Sequence, residues 1–162
     1  MKLTVTCIIV CVCLTFVCSS VLMSEDFMYW ESNFADIDIV EHITAQNSVV
    51  SGSSVATLNM NGDVSITSNK SNAQLTNGSD TLVTEYKLTF DHTGGDGYTG
   101  SSTVDWTDYN TFLDTAAVVT YVPDDNDVVV TLHVRASNYA DDVADAGTYT
   151  ATQELTAHWV GP

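Results

Sequence analysis

Through most of the chain, apolar and polar residues alternate with period two, as in strands that bury one face. Thr81–Phe90 sends Leu82, Tyr86, Leu88 and Phe90 one way and Val83, Glu85, Lys87 and Thr89 the other. In Val128–Ala136 the inward set is Val128, Val130, Leu132, Val134 and Ala136, with Thr131, His133 and Arg135 outward. Thr148–Val160 aligns Tyr149, Ala151, Leu155, Ala157 and Trp159 on one face. Shorter strands are expected at Val55–Met60, Asp63–Ser68, Thr103–Trp106 and Ala117–Val122. Asn61-Gly62 predicts a hairpin between the first two of these. A two-residue loop would pair Met60 with Asp63 and split the apolar residues between faces. A three-residue loop, Asn61-Gly62-Asp63, pairs Met60 with Val64 and Leu58 with Ile66 and keeps one face apolar, so it is the expected register. Asn77-Gly78 marks a second turn, and Asp91–Ser102, with its four glycines, reads as a mobile loop. Helical spacing is confined to Phe27, Trp30 and Phe34 behind Ser24, and to a single turn at Tyr109, Phe112, Leu113 and Ala116. Short strands at near-regular spacing predict an all-β, antiparallel β-sandwich of about seven strands, formed by residues 55–162.

The residues before this domain divide in two. Lys2, an apolar run from Leu3 to Val17 and the small residues Cys18-Ser19-Ser20 have the layout of a secretory signal peptide, which predicts cleavage near residue 20. The run is rich in Val, Ile, Thr and Cys, however, so a retained strand is the alternative. Residues 21–54 read as an N-terminal extension. Within it Ala35, Ile37 and Ile39 alternate with Asp36 and Asp38, and Ser48–Ser54 reads as a flexible link.

Charge and cysteines narrow the function. The 162-residue chain carries −17, and −18 once residues 1–20 and their single lysine are removed. Such a balance argues against nucleic acid and anionic membranes as partners, and favours a soluble extracellular chain with no stable membrane insertion after signal cleavage. All four cysteines, Cys7, Cys11, Cys13 and Cys18, lie in the leader-like segment, so a processed domain has no disulfide framework and no cysteine-based zinc site.

Asp145-Ala146-Gly147-Thr148-Tyr149-Thr150-Ala151 resembles the Asp-x-Gly-x-Tyr-x-Cys stretch of immunoglobulin-like domains, with Ala151 in place of the cysteine. The resemblance implies an immunoglobulin-like sandwich in which the Tyr149 hydroxyl ties back to the backbone at a corner. The plainer alternative is that Gly147 opens a strand and Tyr149 packs in a core. The Ala-Gly-Thr-Tyr-Thr-Ala-Thr run also resembles the closing strand of spore-coat-U-like and related donor-strand fimbrial subunits. The chain departs from them in ending Val160-Gly161-Pro162 and in lacking paired cysteines. What the resemblance implies is a structural subunit of an extracellular filament, pilus or surface coat, with copies of itself as partners. A sandwich closing on its tyrosine-corner strand lacks a last strand, and a donor strand from a neighbour would fill that gap. The expected donor is Ala35, Ile37, Ile39 and Ile43, with Trp30 as an anchor.

Other chemistry is sparse. Asp124, Asp125 and Asp127, and Asp141, Asp142 and Asp145, are acidic turns for which calcium is the natural ligand, against the plainer reading of solvated charge. Asn69-Lys70-Ser71 and Asn77-Gly78-Ser79 are acceptor sequons. Trp30, Trp106, Trp159, Tyr98, Tyr109 and Tyr139 suggest a carbohydrate platform, and with the acidic loops they give the alternative of a secreted monomeric module binding carbohydrate or calcium. The histidines His42, His92, His133 and His158 have no metal-ligand spacing, and no nucleophile motif accompanies them, so no enzyme activity is expected.

Overall fold

A computed structural model describes residues 3–11, 25–44, 48–78, 80–92, 104–121 and 127–161, with only the backbone of 3–11 and of residue 92 described. Twelve strands follow in chain order: β1 (Leu3–Cys11), β2 (Met28–Trp30), β3 (Ile37–Ile39), β4 (Val49–Met60), β5 (Asp63–Asn69), β6 (Thr76–Asn77), β7 (Asp80–Thr81), β8 (Val83–His92), β9 (Val104–Asp108), β10 (Ala117–Val119), β11 (Asp127–Ser137) and β12 (Tyr149–Gly161). The chain is all-β, a sandwich of two sheets, with no helix among the described residues. The first sheet runs β10-β5-β12-β1-β3, with the small β6–β7 hairpin attached to β12, and the second runs β2-β4-β11-β8-β9. Every pairing is antiparallel except β1 with β12.

Period-two alternation places the core. In β11, Val128, Val130, Leu132 and Val134 are wholly buried, while the residues between them stay half-exposed. Opposite them lie Val64 and Ile66 of β5 and Tyr149, Leu155 and Ala157 of β12. One apolar cluster joins both sheets, as a two-layer architecture requires. Trp159 is only partly buried and covers Gly62, where an added Cβ would come within 2.2 Å of the indole.

Four expectations change. First, β4 and β5 do not form a hairpin: β4 belongs to one sheet and β5 to the other, so Asn61-Gly62 is a crossing between layers. A three-residue hairpin loop needs a residue in the left-handed region, and none of Asn61, Gly62 and Asp63 has positive φ. The Asn61 side chain instead accepts from the Phe27 backbone N–H at 2.8 Å and donates to the Glu25 carbonyl at 2.9 Å. Met60 and Leu58 therefore face Val64 and Ile66 across the core, which accounts for the same apolar pattern.

Second, Ser48–Ser54 is no flexible link, because Val49–Met60 is one continuous strand paired with β11 along Val49–Asn59. Its small inward residues make room for β3. At Gly52 an added Cβ would stand 2.5 Å from Ile37 Cγ2 and 3.0 Å from Ile39 Cγ1. The sandwich thus starts well before residue 55.

Third, the aromatic residues near the start form strand, not helix: Met28–Trp30 pairs with Met60–Leu58. Pairing with β4 satisfies more backbone groups than an isolated turn of helix could. Fourth, Tyr109–Ala116 makes turns only, with the Phe112 N–H on the Asp108 carbonyl at 2.9 Å and Leu113 at φ 55°. It still buries Phe112, whose ring meets Tyr86 at 5.4 Å. The expected loop Asp91–Ser102 falls almost wholly outside the described residues, as do Val122–Asn126.

Candidate assembly slot

The strand β12 is shared between two kinds of neighbour. On one side Glu154–Gly161 pairs with β5 and Thr150 with β6. On the other, Tyr149–Ala157 pairs in parallel with Leu3–Cys11 over nine consecutive residues. The far side of β1 pairs antiparallel with β3, Leu3 with Ile39 and Val5 with Ile37. Since adjacent strands stand about 4.8 Å apart, β12 and β3 are separated by about 10 Å, the width of a single strand. The leader-like N-terminus fills that slot.

The two walls are held by different forces. β3 hydrogen-bonds within the sheet only through β1, but Ile37 and Ile39 are each 3 % exposed and seat against Gly52 of the opposite sheet. Burying two Ile side chains contributes about 3–6 kcal/mol, enough to fix a three-residue strand against the other layer. β12 is fixed by β5 and by the corner at its start.

That corner is built as the sequence resemblance implies. The Tyr149 hydroxyl lies 2.9 Å from the Asp145 carbonyl, to which it donates, and 3.0 Å from Asp80 Oδ2. Asp80, from β7, also accepts the Asp145 N–H at 2.5 Å. The hydrogen bonds from the Asp145 amide and the Tyr149 hydroxyl hold the Asp80 carboxyl below the usual carboxylate value. Burial, with the Asp80 carboxylate beside it, pushes the Tyr149 phenol up to about 12. Gly147 lets the Asn77 side-chain amide pack directly against the backbone of the corner.

Of the expected donor residues, Ile37 and Ile39 are a wall of the slot within their own chain. Ala35 is exposed, and Ile43 is partly buried against the same core. Trp30 packs in its own chain, its ring 5.7 Å from Phe34. The sequence reading places the donor within residues 35–43, whereas in the structure it is Leu3–Cys11 that lies between β12 and β3. The signal that pointed elsewhere was the β-rich composition of Leu3–Cys11.

The remaining candidates do not converge. Asp124 and Asp125 lie outside the described residues, Asp127 is bonded by the Asn59 side-chain amide, and Asp141, Asp142 and Asp145 are exposed. Among the described residues, no three His, Cys, Asp or Glu side chains come together to hold a metal. Asn69 is exposed, with its amide on Glu154 at 2.9 Å, whereas Asn77 is half-buried against Gly147. Trp106 lies on the outer face of the second sheet under the Arg135 guanidinium, 4.6 Å from the ring centroid, and Arg135 is itself forked onto Glu85 at 2.6 and 2.9 Å. A cation already covers that indole, so it does not offer a bare platform. Tyr98 is outside the described residues. Tyr109, with Lys70, Asn72, Gln74, Thr150 and Thr152, lines an open polar cleft of about 390 Å³.

Gln153 was not anticipated. It occupies the inward face of β12 between Ala151 and Leu155, is wholly buried, and has no partner for its Oε1 among the described residues. Its side-chain nitrogen reaches the Glu154 carbonyl at 3.1 Å and the Asn69 carbonyl at 3.4 Å.

No protein-family model matches this sequence, and no curated protein matches it.

Proposed function

We propose that this chain is a structural subunit of an extracellular filament, pilus or surface coat, assembled by strand donation between copies of itself. One observation carries the reading: the slot between β12 and β3 is one strand wide and is bounded by walls anchored elsewhere in the sandwich. A vacated slot exposes unpaired backbone N–H and C=O groups along nine residues of β12, above a core that includes Tyr149 and Leu155. Such an edge either pairs with another chain or aggregates. Strand addition satisfies those groups with backbone bonds and sets register through alternate side chains. The acidic surface keeps unassembled subunits apart, and salt screens that repulsion on assembly.

The polar cleft at Lys70, Asn72, Gln74 and Tyr109 favours a second reading, a monomeric module that binds a small polar ligand such as a sugar. Material purified from the medium separates the two. Strand-donated polymers give filaments by negative-stain electron microscopy and ladders on unheated gels. A compact monomer at all concentrations and salt levels would remove the assembly reading.

A further inference from the structure

We infer that the donor is the N-terminal strand Leu3–Cys11 of a second copy, laid parallel to β12 in the slot that the chain's own β1 fills here. The inference rests on the strand-donation reading and names its occupant. It starts by elimination. Ile37–Ile39 cannot leave to serve a neighbour without opening the core over Gly52, and it is already one rail of the slot. Every other described strand is paired within the sandwich. Leu3–Cys11 alone lies in the slot, paired along its whole length with Tyr149–Ala157 and over Leu3–Val5 with Ile39–Ile37.

Three properties of this segment suit exchange. It carries no charge, so its entry into the slot of a strongly acidic neighbour meets no direct repulsion. Its threonines, valines and isoleucines favour extended backbone. Residues 12–27 separate it from β2, and sixteen residues reach up to about 50 Å when extended, which is enough to enter either the same copy or an adjacent one. The same backbone bonds form in both cases, so the choice is set by concentration: the cis strand competes at the effective concentration of its tether, and crowded subunits overtake it. A consequence follows for the leader-like segment. In the assembled subunit residues 3–11 are kept, and the apolar run is the joint.

The test uses the full chain with Cys7, Cys11, Cys13 and Cys18 replaced by serine. One version carries Thr4→Cys and a second carries Asp38→Cys, two positions that stand opposite each other on β1 and β3. The two are mixed, assembled at high concentration and oxidised. A disulfide joining residue 4 of one version to residue 38 of the other is expected in the polymers. Placing both substitutions in one chain locks β1 in cis, and loss of polymer is expected. Intact mass of polymers from the unsubstituted chain gives an independent readout, and subunits retaining residues 3–11 are expected. Polymers whose subunits begin after residue 11, or polymers without the intermolecular 4–38 link, would overturn the choice of donor and leave strand donation standing. Absence of polymers from the unsubstituted chain would overturn both.

Discussion

The two sheets solve the same problem in different ways. The second sheet is built from residues 28–137 alone, and its centre is three long strands, β4, β11 and β8, in unbroken antiparallel register. The inward positions of β11 are all apolar, while at the sheet's edge the buried Trp30 Nε1 in β2 has no hydrogen-bond partner among the described residues. Thr84 is wholly buried, but its hydroxyl accepts the Leu75 N–H and donates to the Leu82 carbonyl, both at 3.0 Å. The first sheet draws strands from both ends of the chain, contains the one parallel pairing, and buries Gln153 with an unbonded oxygen on its central strand β12. The difference in connectivity marks where this fold can be opened. A sheet whose central strands pair over their whole length within one stretch of chain must unfold to lose one, whereas a sheet completed by a remote segment can give that segment up and keep its core.

If that is right, the strongest single disruption lies at the wall of the slot. Gly52→Val places branched carbons where Ile37 and Ile39 now sit, since even a Cβ would approach Ile37 Cγ2 to 2.5 Å. Overpacking of this kind costs about 3 kcal/mol and displaces β3. Ser53→Val, one residue away on the outer face, is expected to change stability by under about 0.5 kcal/mol. Urea denaturation of both variants checks the pair. Equal, small effects would mean that β3 is not seated on β4 and that the slot has only one wall.

The same contrast decides what could be read from the sequence. Alternation in Thr81–Phe90 and Val128–Ala136 was legible because each strand has one face in a single core and one in water. The corner at Tyr149 was legible because its spacing to Gly147 and Asp145 is local. Ser48–Ser54 was misread because small residues have two uses, flexibility and close approach, and only the partner, here Ile37 with Ile39, distinguishes them. Asn61-Gly62 was misread because an apolar residue on either side of a turn looks the same whether the strands pair or face each other across a core. The position of Leu3–Cys11 was not legible, because a leader and a strand share composition and its main partner, β12, lies 146 residues away in the sequence.

An intermediate effect is expected at the corner, which anchors the other wall. Tyr149→Phe removes the hydroxyl that bonds the Asp145 carbonyl and Asp80, at a cost of about 1–2 kcal/mol. Its pH signature is specific. The folded-state phenol sits at about 12 against an ordinary 10, so its contribution is intact below pH 10 and is lost as pH rises from 10 through 12. Asp80 is shifted the other way, so its contribution holds above its ordinary value of 3.8 and is lost as pH falls below it. Melting temperature against pH should therefore lose an alkaline limb in the Phe variant. An unchanged alkaline limb would mean that the hydroxyl is not tied at the corner.

The smallest effect, at Gln153, belongs to the most direct comparison of the two interiors. Thr84 and Gln153 are both fully buried polar side chains, one in each sheet. Thr84→Val keeps the shape but orphans the Leu75 N–H, and an unsatisfied buried donor costs about 1–3 kcal/mol. Gln153→Met keeps the length, removes an amide oxygen that already lacks a partner, and gives up two long contacts at 3.1 and 3.4 Å. The gain from removing the orphan and the loss of those contacts are of similar size, so the net change is expected to be within about 1 kcal/mol, on the stabilising side. Both are read from denaturation midpoints at neutral pH, with the far-ultraviolet spectrum confirming an unchanged fold. A Gln153→Met loss as large as that of Thr84→Val would show that the amide oxygen has a partner on the slot side of β12. The asymmetry between the two sheets would then rest on chain connectivity alone.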